Sequence, residues 1–211
     1  MRRFITFEGI EGCGKTTQIR LAEAWLKERG IPVLATAEPG GTPLGWKIRE
    51  MLLNRGPCAV GPEAELLLFA AARAQHVREL ILPALAAGQW VLCDRFSDAT
   101  LAYQGFGRGL DQGFIGALNA FSAGTAIPEM TILFDLPVEA GLARAKKRTE
   151  GIRTEEAEDR FEQEERSFHT RVRDGYLALA SREPERFRIV DGAADVGAVR
   201  SAVRRRLEAL L

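Results

Sequence analysis

Short apolar runs alternate along this chain with longer segments whose apolar positions recur at helical spacing. Phe4-Ile5-Thr6-Phe7 is a compact apolar run ahead of a glycine-rich stretch, the pattern of a strand buried on both faces. From Lys15 to Arg29 the positions Ile19, Leu21, Trp25 and Leu26 mark an amphipathic helix, with Gly30 placed to stop it. Pro32 to Thr36 reads as a second strand. The turn-rich Glu38-Pro39-Gly40-Gly41-Thr42-Pro43 then leads into a helix through about Asn54.

A long helix is predicted from Pro62 towards Pro83 or Gly88, followed by a buried strand, Gln89 to Cys93, ending at Asp94. Gly105, Gly107 and Gly109 predict a loop, and Leu110 to Ser122 a helix. Met130 to Phe134 and Phe187 to Val190 read as further strands. The charged stretch between them, Arg144 to Arg173, reads as helical with an irregular insert, and Val196 to Leu211 as a closing amphipathic helix. Strands separated by helices require right-handed crossovers, hence a parallel sheet covered on both faces. The expectation is one α/β domain over residues 1–211, a three-layer α/β/α P-loop fold. It has a five-stranded parallel sheet and a short helical lid at about 144–160.

Composition changes this picture little. The 211 residues fit the usual size of roughly 100–200 residues for one domain. Lys plus Arg total 29 and Asp plus Glu total 29, so there is no overall basic footprint of the kind nucleic-acid binders show. Any anion site must be a local cluster. Cys13, Cys58 and Cys93 form no zinc or disulfide pattern, and the apolar run after Met1-Arg2-Arg3 is too short for a signal peptide or membrane span. A cytoplasmic protein that binds no membrane is expected.

The chemistry concentrates first in Gly9-Ile10-Glu11-Gly12-Cys13-Gly14-Lys15-Thr16, with Thr17 following, which satisfies GxxxxGK[ST] between a strand and a helix. Glycines let successive backbone N–H groups face phosphate oxygens, and the following helix adds its positive end. Lys15 supplies a cation to the β- and γ-phosphates, and the Thr16 hydroxyl is suited to Mg²⁺. Asp94, at the carboxyl end of a buried strand, can hold the same ion through water, and Arg95 beside it can clamp an anion. ATP with Mg²⁺ is the expected cofactor pair. On the helix after Pro62, Arg73 lies four residues beyond Phe69 and shares its face. A ring and a guanidinium there suit a nucleobase, although the same spacing serves a snorkelling arginine beside a core phenylalanine.

Taken together, Phe7-Glu8-Gly9 through Thr17, Glu38-Pro39-Gly40-Gly41-Thr42, Phe69 with Arg73, Asp94-Arg95-Phe96 and Ala102-Tyr103-Gln104-Gly105 resemble the thymidylate kinases. Ile189-Val190-Asp191-Gly192 is similar to that family's adenine-side segment. The resemblance implies transfer of the ATP γ-phosphoryl group to dTMP. It implies Phe69 stacked on thymine, Arg73 on its O4 edge, and Thr100 and Gln104 on the polar edge of the base. It places Tyr103 against the sugar C2′, Arg49 and Arg95 on the acceptor phosphate, Glu11 towards the acceptor, and Glu38 in the ordering of the acceptor loop. A homodimer is also implied.

Because Glu11 is acidic, the loop brings no cation beyond Lys15. The cluster Arg144, Lys146, Lys147, Arg148, with Arg153 beyond it, is the expected source of a catalytic cation, Arg148 first and Arg153 in reserve. This resembles the bacterial branch of the family, although a solvated helix face would also carry such a cluster. Ala37 departs from the arginine that commonly precedes Glu-Pro-Gly-Gly, Ala99 from a frequent serine, and the lid is long around Gly151 to Glu158. His76 and His169 suggest structural roles. The alternatives are another P-loop nucleoside or nucleoside-monophosphate kinase, and a nucleotide-dependent switch ATPase that needs no acceptor pocket.

Overall fold

The computed structural model describes residues 3–53, 60–149 and 160–211. Five parallel strands, β1 (Phe4–Glu8), β2 (Val33–Ala37), β3 (Trp90–Asp94), β4 (Met130–Asp135) and β5 (Phe187–Asp191), lie in the order β2-β3-β1-β4-β5. β1 is central, and its register pairs Phe7 with Asp94 on one side and Glu8 with Leu133 on the other. The two apolar runs that sequence marks as buried, β1 and β3, are inner strands, and β4 is the third. The edge strands β2 and β5 are only partly covered.

Strand alternation decides which helix meets which face. Ile5 and Leu92 point into a cluster with Ile19, Trp25 and Leu26 of α1 (Lys15–Glu28), against which α9 (Val196–Glu208) also packs. Phe4, Val91 and Cys93 point the other way, towards Val77, Ile81, Leu85 and Phe96. That second face carries α3 (Pro62–His76), α4 (Leu82–Ala86), α5 (Ser97–Thr100) and α6 (Gln112–Ala123), with α8 (Arg166–Arg182) beside them. α2 (Pro43–Leu53) packs on α3, and α7 (Val138–Thr149) leads out from β4.

Two segments differ from the sequence expectation. The long helix after Pro62 does not run evenly. It passes through a π-helical turn at Val77–Ile81, where the Leu82 N–H reaches the Val77 carbonyl, just before Pro83 removes a donor. The glycine-marked loop at Gly105 and Gly107 is a π-helical turn, Leu101–Gly107, continuing α5. Its glycines serve close packing. A Cβ on Gly107 would lie 2.6 Å from the Phe168 ring, and one on Gly175 would lie 2.7 Å from the Phe106 ring, so the turn and α8 interlock reciprocally. Only at Gly109, φ +79°, does the chain break out of helix.

Candidate active site

The carboxyl ends of β1, β3 and β4 converge, and the phosphate loop springs from the first of them. Gly9, Gly12 and Gly14 all have positive φ, which curls the backbone from Gly9 to Gly14 before α1 begins. The loop is also pressed against α7, since a Cβ on Gly12 would lie 2.1 Å from the Gly141 carbonyl oxygen. Lys15 Nζ donates to the Gly9 and Ile10 carbonyls, both at 2.9 Å, and lies 3.3 Å from Cys13 Sγ. Thr16 Oγ1 donates to Asp94 Oδ2 at 2.9 Å. A hydroxyl and a carboxylate held this close offer the oxygen donors a hard divalent cation prefers.

Two hollows flank the loop. The first is a groove of about 810 Å³, including its open mouth, bordered by Gly12 to Thr17, Arg20, Arg144 and Arg148. Arg144 is anchored to the carbonyls of Gly192 and Ala193 at 2.6 and 3.2 Å, tying α7 to the end of β5. Arg148 pairs with Glu162 while its side chain stays 61% exposed, so it retains the freedom to turn. Lys146 and Lys147 are on the same helix and exposed, and neither borders the groove.

The second hollow is a cleft of about 500 Å³, including its mouth, on the other side of the loop. Glu11, Glu38, Arg49, Phe69, Arg73, Arg95, Thr100, Tyr103 and Gln104 all line it. They come from the loop, the β2–α2 connection, α2, α3, the β3–α5 turn, α5 and the π-helical turn after α5. That last turn brings Tyr103 and Gln104 together onto the wall that Thr100 begins.

The cleft is polar at its base and its charges are paired. Arg95, with φ +68°, donates through one terminal nitrogen to Gly9 O at 3.1 Å and through the other to Glu11 Oε1 at 3.0 Å. Tyr103 Oη donates to the same Glu11 oxygen at 2.5 Å. Burial opposes ionisation of Glu11, but the His169 imidazole, Arg95, Lys15 and the Tyr103 hydroxyl together hold its carboxyl well below the usual range. His169 Nδ1 lies 3.3 Å from Glu11 Oε2, and neither atom has hydrogen-bond alignment to a described partner. Arg73, 1% exposed, donates to Glu38, Asn119, Phe96 O and Thr100. Arg49 reaches Pro39 O at 3.0 Å.

A sequence model of thymidylate kinase matches residues 7–203. The chain belongs to the thymidylate kinase family. It is 59% identical over 210 residues to the thymidylate kinase of Syntrophus aciditrophicus, covering 100% of this chain and 96% of that one. It is 56% identical to the thymidylate kinase of Geobacter sulfurreducens, covering 96% and 95%. The crystal structure of thymidylate kinase from Ehrlichia chaffeensis superposes with a TM-score of 0.76 at 34% identity, covering 98% of each chain. Family membership makes the chain a nucleoside monophosphate kinase with ATP as phosphoryl donor and dTMP as substrate.

Every residue expected at the thymidylate kinase acceptor site from sequence borders the one cleft. Arg153 lies outside the described residues, as does the insert from Gly151 to Glu158. Ala99 and Thr100 both reach the cleft. Ala37 closes β2 opposite Asp94, and Glu38 is held by Arg73 and His76 instead of a neighbour at 37.

Several residues around the site are given no role of their own by sequence. Glu8, fully buried, accepts from the Phe96 N–H at 2.7 Å and from Tyr176 Oη at 2.8 Å. Burial and nearby Asp98 push its carboxyl up to about 8 against the pull of Arg95 and these two donors. Glu65, also fully buried, accepts from Gln104 at 2.7 Å and from Arg108, orienting the amide at the cleft wall. Phe161 closes the cleft opposite Phe69, with ring centroids 6.2 Å apart. Glu8 carries a signal that sequence offers, a carboxylate ending an apolar strand beside Gly9. The others are joined to the site only by contacts distant along the chain.

Proposed function

We propose that this thymidylate kinase binds ATP phosphates on Gly9 to Thr17 and dTMP in the cleft beyond Arg95, and transfers the γ-phosphoryl group across the loop between them. The observation that carries this reading is the bridge from Arg95 to Gly9 O and Glu11, which makes the acceptor cleft and the phosphate loop share a wall. Phe69 stacks on thymine, and Arg73, Thr100 and Gln104 read its polar edge. Tyr103 crowds the sugar, Glu11 faces the acceptor, and Arg49 and Arg95 hold its phosphate. Fixing both reactants in line converts a bimolecular encounter into an oriented one.

Thr16 and Asp94 would hold Mg²⁺, which supplies charge neutralisation for the phosphates. Lys15 exchanges loop carbonyls for phosphate oxygens, and Arg148, bordering the donor groove, is the first candidate for the cation that meets charge developing on the transferring group. Arg153 is the reserve. The lid spans about 144–160 of a single kinase domain.

A homodimer through the adjoining α3 and α6 accounts for the exposed Leu67, Phe114 and Phe121. No helix among the described residues is long and apolar enough to cross a membrane, and a cytosolic setting suits the free buried thiols of Cys13 and Cys93. The decisive experiment is ADP production from ATP with dTMP, dUMP, UMP, CMP and AMP as acceptors. Strong preference for dTMP is expected. Hydrolysis indifferent to every acceptor would overturn the reading in favour of a switch ATPase.

A further inference from the structure

A chain of hydrogen bonds, part-buried at Thr36 and buried beyond it, crosses the acceptor side from β2 to α5. Thr36 Oγ1 lies 2.7 Å from His76 Nε2, and His76 Nδ1 lies 3.0 Å from Glu38 Oε1. Glu38 Oε2 accepts from Arg73 Nε at 2.9 Å, and Arg73 donates onward to Thr100 Oγ1 at 2.8 Å. His76 is fully buried and Glu38 is 5% exposed. A carboxylate only accepts, so Nδ1 must carry the proton. In the neutral ring Nε2 then accepts from the Thr36 hydroxyl, and every polar atom of the ring is satisfied.

The ring also serves as a floor for the loop. A Cβ on Gly41 would lie 2.5 Å from His76 Cδ2 and 2.9 Å from Thr36 Oγ1, so only glycine lets the Glu38-to-Thr42 loop settle there. The π-helical turn begins at Val77, so the ladder changes pitch directly after His76, and His76 shares a helix face with Arg73 three residues earlier. With Ala37 bringing no cation, the described hydrogen-bond donors to the Glu38 carboxylate are Arg73 and His76.

Arg73 has five N–H groups, and Glu38, Asn119, Phe96 O and Thr100 occupy four. The remaining one belongs to a guanidinium that lines the cleft. Its direction is set by those partners, and Glu38 keeps its own place through His76. We propose that His76 is a positioning residue for the acceptor nucleotide: by holding Glu38 through Nδ1 and seating Gly41, it aims Arg73 into the cleft. This rests on the assignment of the cleft to dTMP.

The test is steady-state kinetics, with melting curves to verify folding, on His76→Asn, His76→Gln, His76→Leu and Thr36→Val. An asparagine amide reaches the place of Nδ1, whereas a glutamine amide reaches that of Nε2. The KM for dTMP should rise about tenfold or more in His76→Leu and His76→Gln and return to within about threefold of wild type in His76→Asn. The KM for ATP should stay within about twofold throughout. Thr36→Val, which keeps the shape and loses the hydroxyl, should raise the dTMP KM about two- to threefold. Should the ring variants fail to fold, Thr36→Val decides alone. A dTMP KM within twofold of wild type in folded His76→Leu or His76→Gln, equal rises for both substrates, asparagine no better than glutamine, or an indifferent Thr36→Val as sole survivor overturns the inference. Wild-type protein inactive on dTMP would instead overturn the assignment of the cleft.

Discussion

Arg73→Ala is the substitution in which fold and specificity are most tightly joined. It removes a guanidinium that is 1% exposed and engaged with Glu38, Asn119, Phe96 O and Thr100. Removing one member of a buried ion pair costs about 3–5 kcal/mol, because the remaining charge stays buried without compensation. For a chain of this size about 2–4 °C in Tm accompanies each kcal/mol, so the drop should be about 6–20 °C. One hydrogen bond from a charged donor to the acceptor adds about 1.5–3 kcal/mol, a KM for dTMP raised about ten- to a hundredfold.

Scanning calorimetry reads the first quantity, and a coupled assay of ADP formation at saturating ATP reads the second. The double variant Arg73→Met with Glu38→Gln removes both charges, so it should regain much of the stability and none of the dTMP affinity. A Tm within about 2 °C of wild type in Arg73→Ala would refute the buried-pair argument. A KM for ATP rising in parallel with that for dTMP would refute its place in the acceptor site.

Lys15→Ala should lower turnover about a hundredfold or more, roughly 3 kcal/mol of lost charge stabilisation, and near-normal turnover would remove the phosphate-loop mechanism. Arg148→Ala should cost about tenfold or more in turnover with the dTMP KM within about twofold, while Lys147→Ala, on a solvated position, should change neither by more than about twofold. Equal, small effects at both would remove Arg148 as the cation donor and leave Arg144, which also borders the groove, to be tested in the same way. Glu8 has a carboxyl raised by burial from 4.5 to about 8, so its contribution to stability is full below about pH 4.5 and declines as pH rises through about 8. Urea unfolding of wild type against Glu8→Gln should therefore show a stability difference that moves by a few kcal/mol, on the order of 1.4 kcal/mol per pH unit, across that window. A difference constant with pH would show that Glu8 is already ionised.

By itself the sequence determined the elements whose cause is local. Apolar runs with glycine or proline borders gave five strands, and GxxxxGK[ST] placed the phosphate loop between the first strand and α1. Lys15 and Thr16 stand within that loop motif, and Arg95, Phe69 and Gln104, expected at an acceptor site from the family resemblance, border one cleft. Only the tertiary structure decided what depends on two segments meeting. Gly105 and Gly107 read as a loop because glycine disfavours helix locally. The gain from interlocking with Phe168 and α8 outweighs that preference and winds them into a π-helical turn. The same holds for Glu8, Glu65, His76 and His169, whose partners Tyr176, Gln104, Glu38 and Glu11 are 168, 39, 38 and 158 positions away. Hydrophobic periodicity reports which side of an element faces inward. It carries no record of which charge will be waiting there.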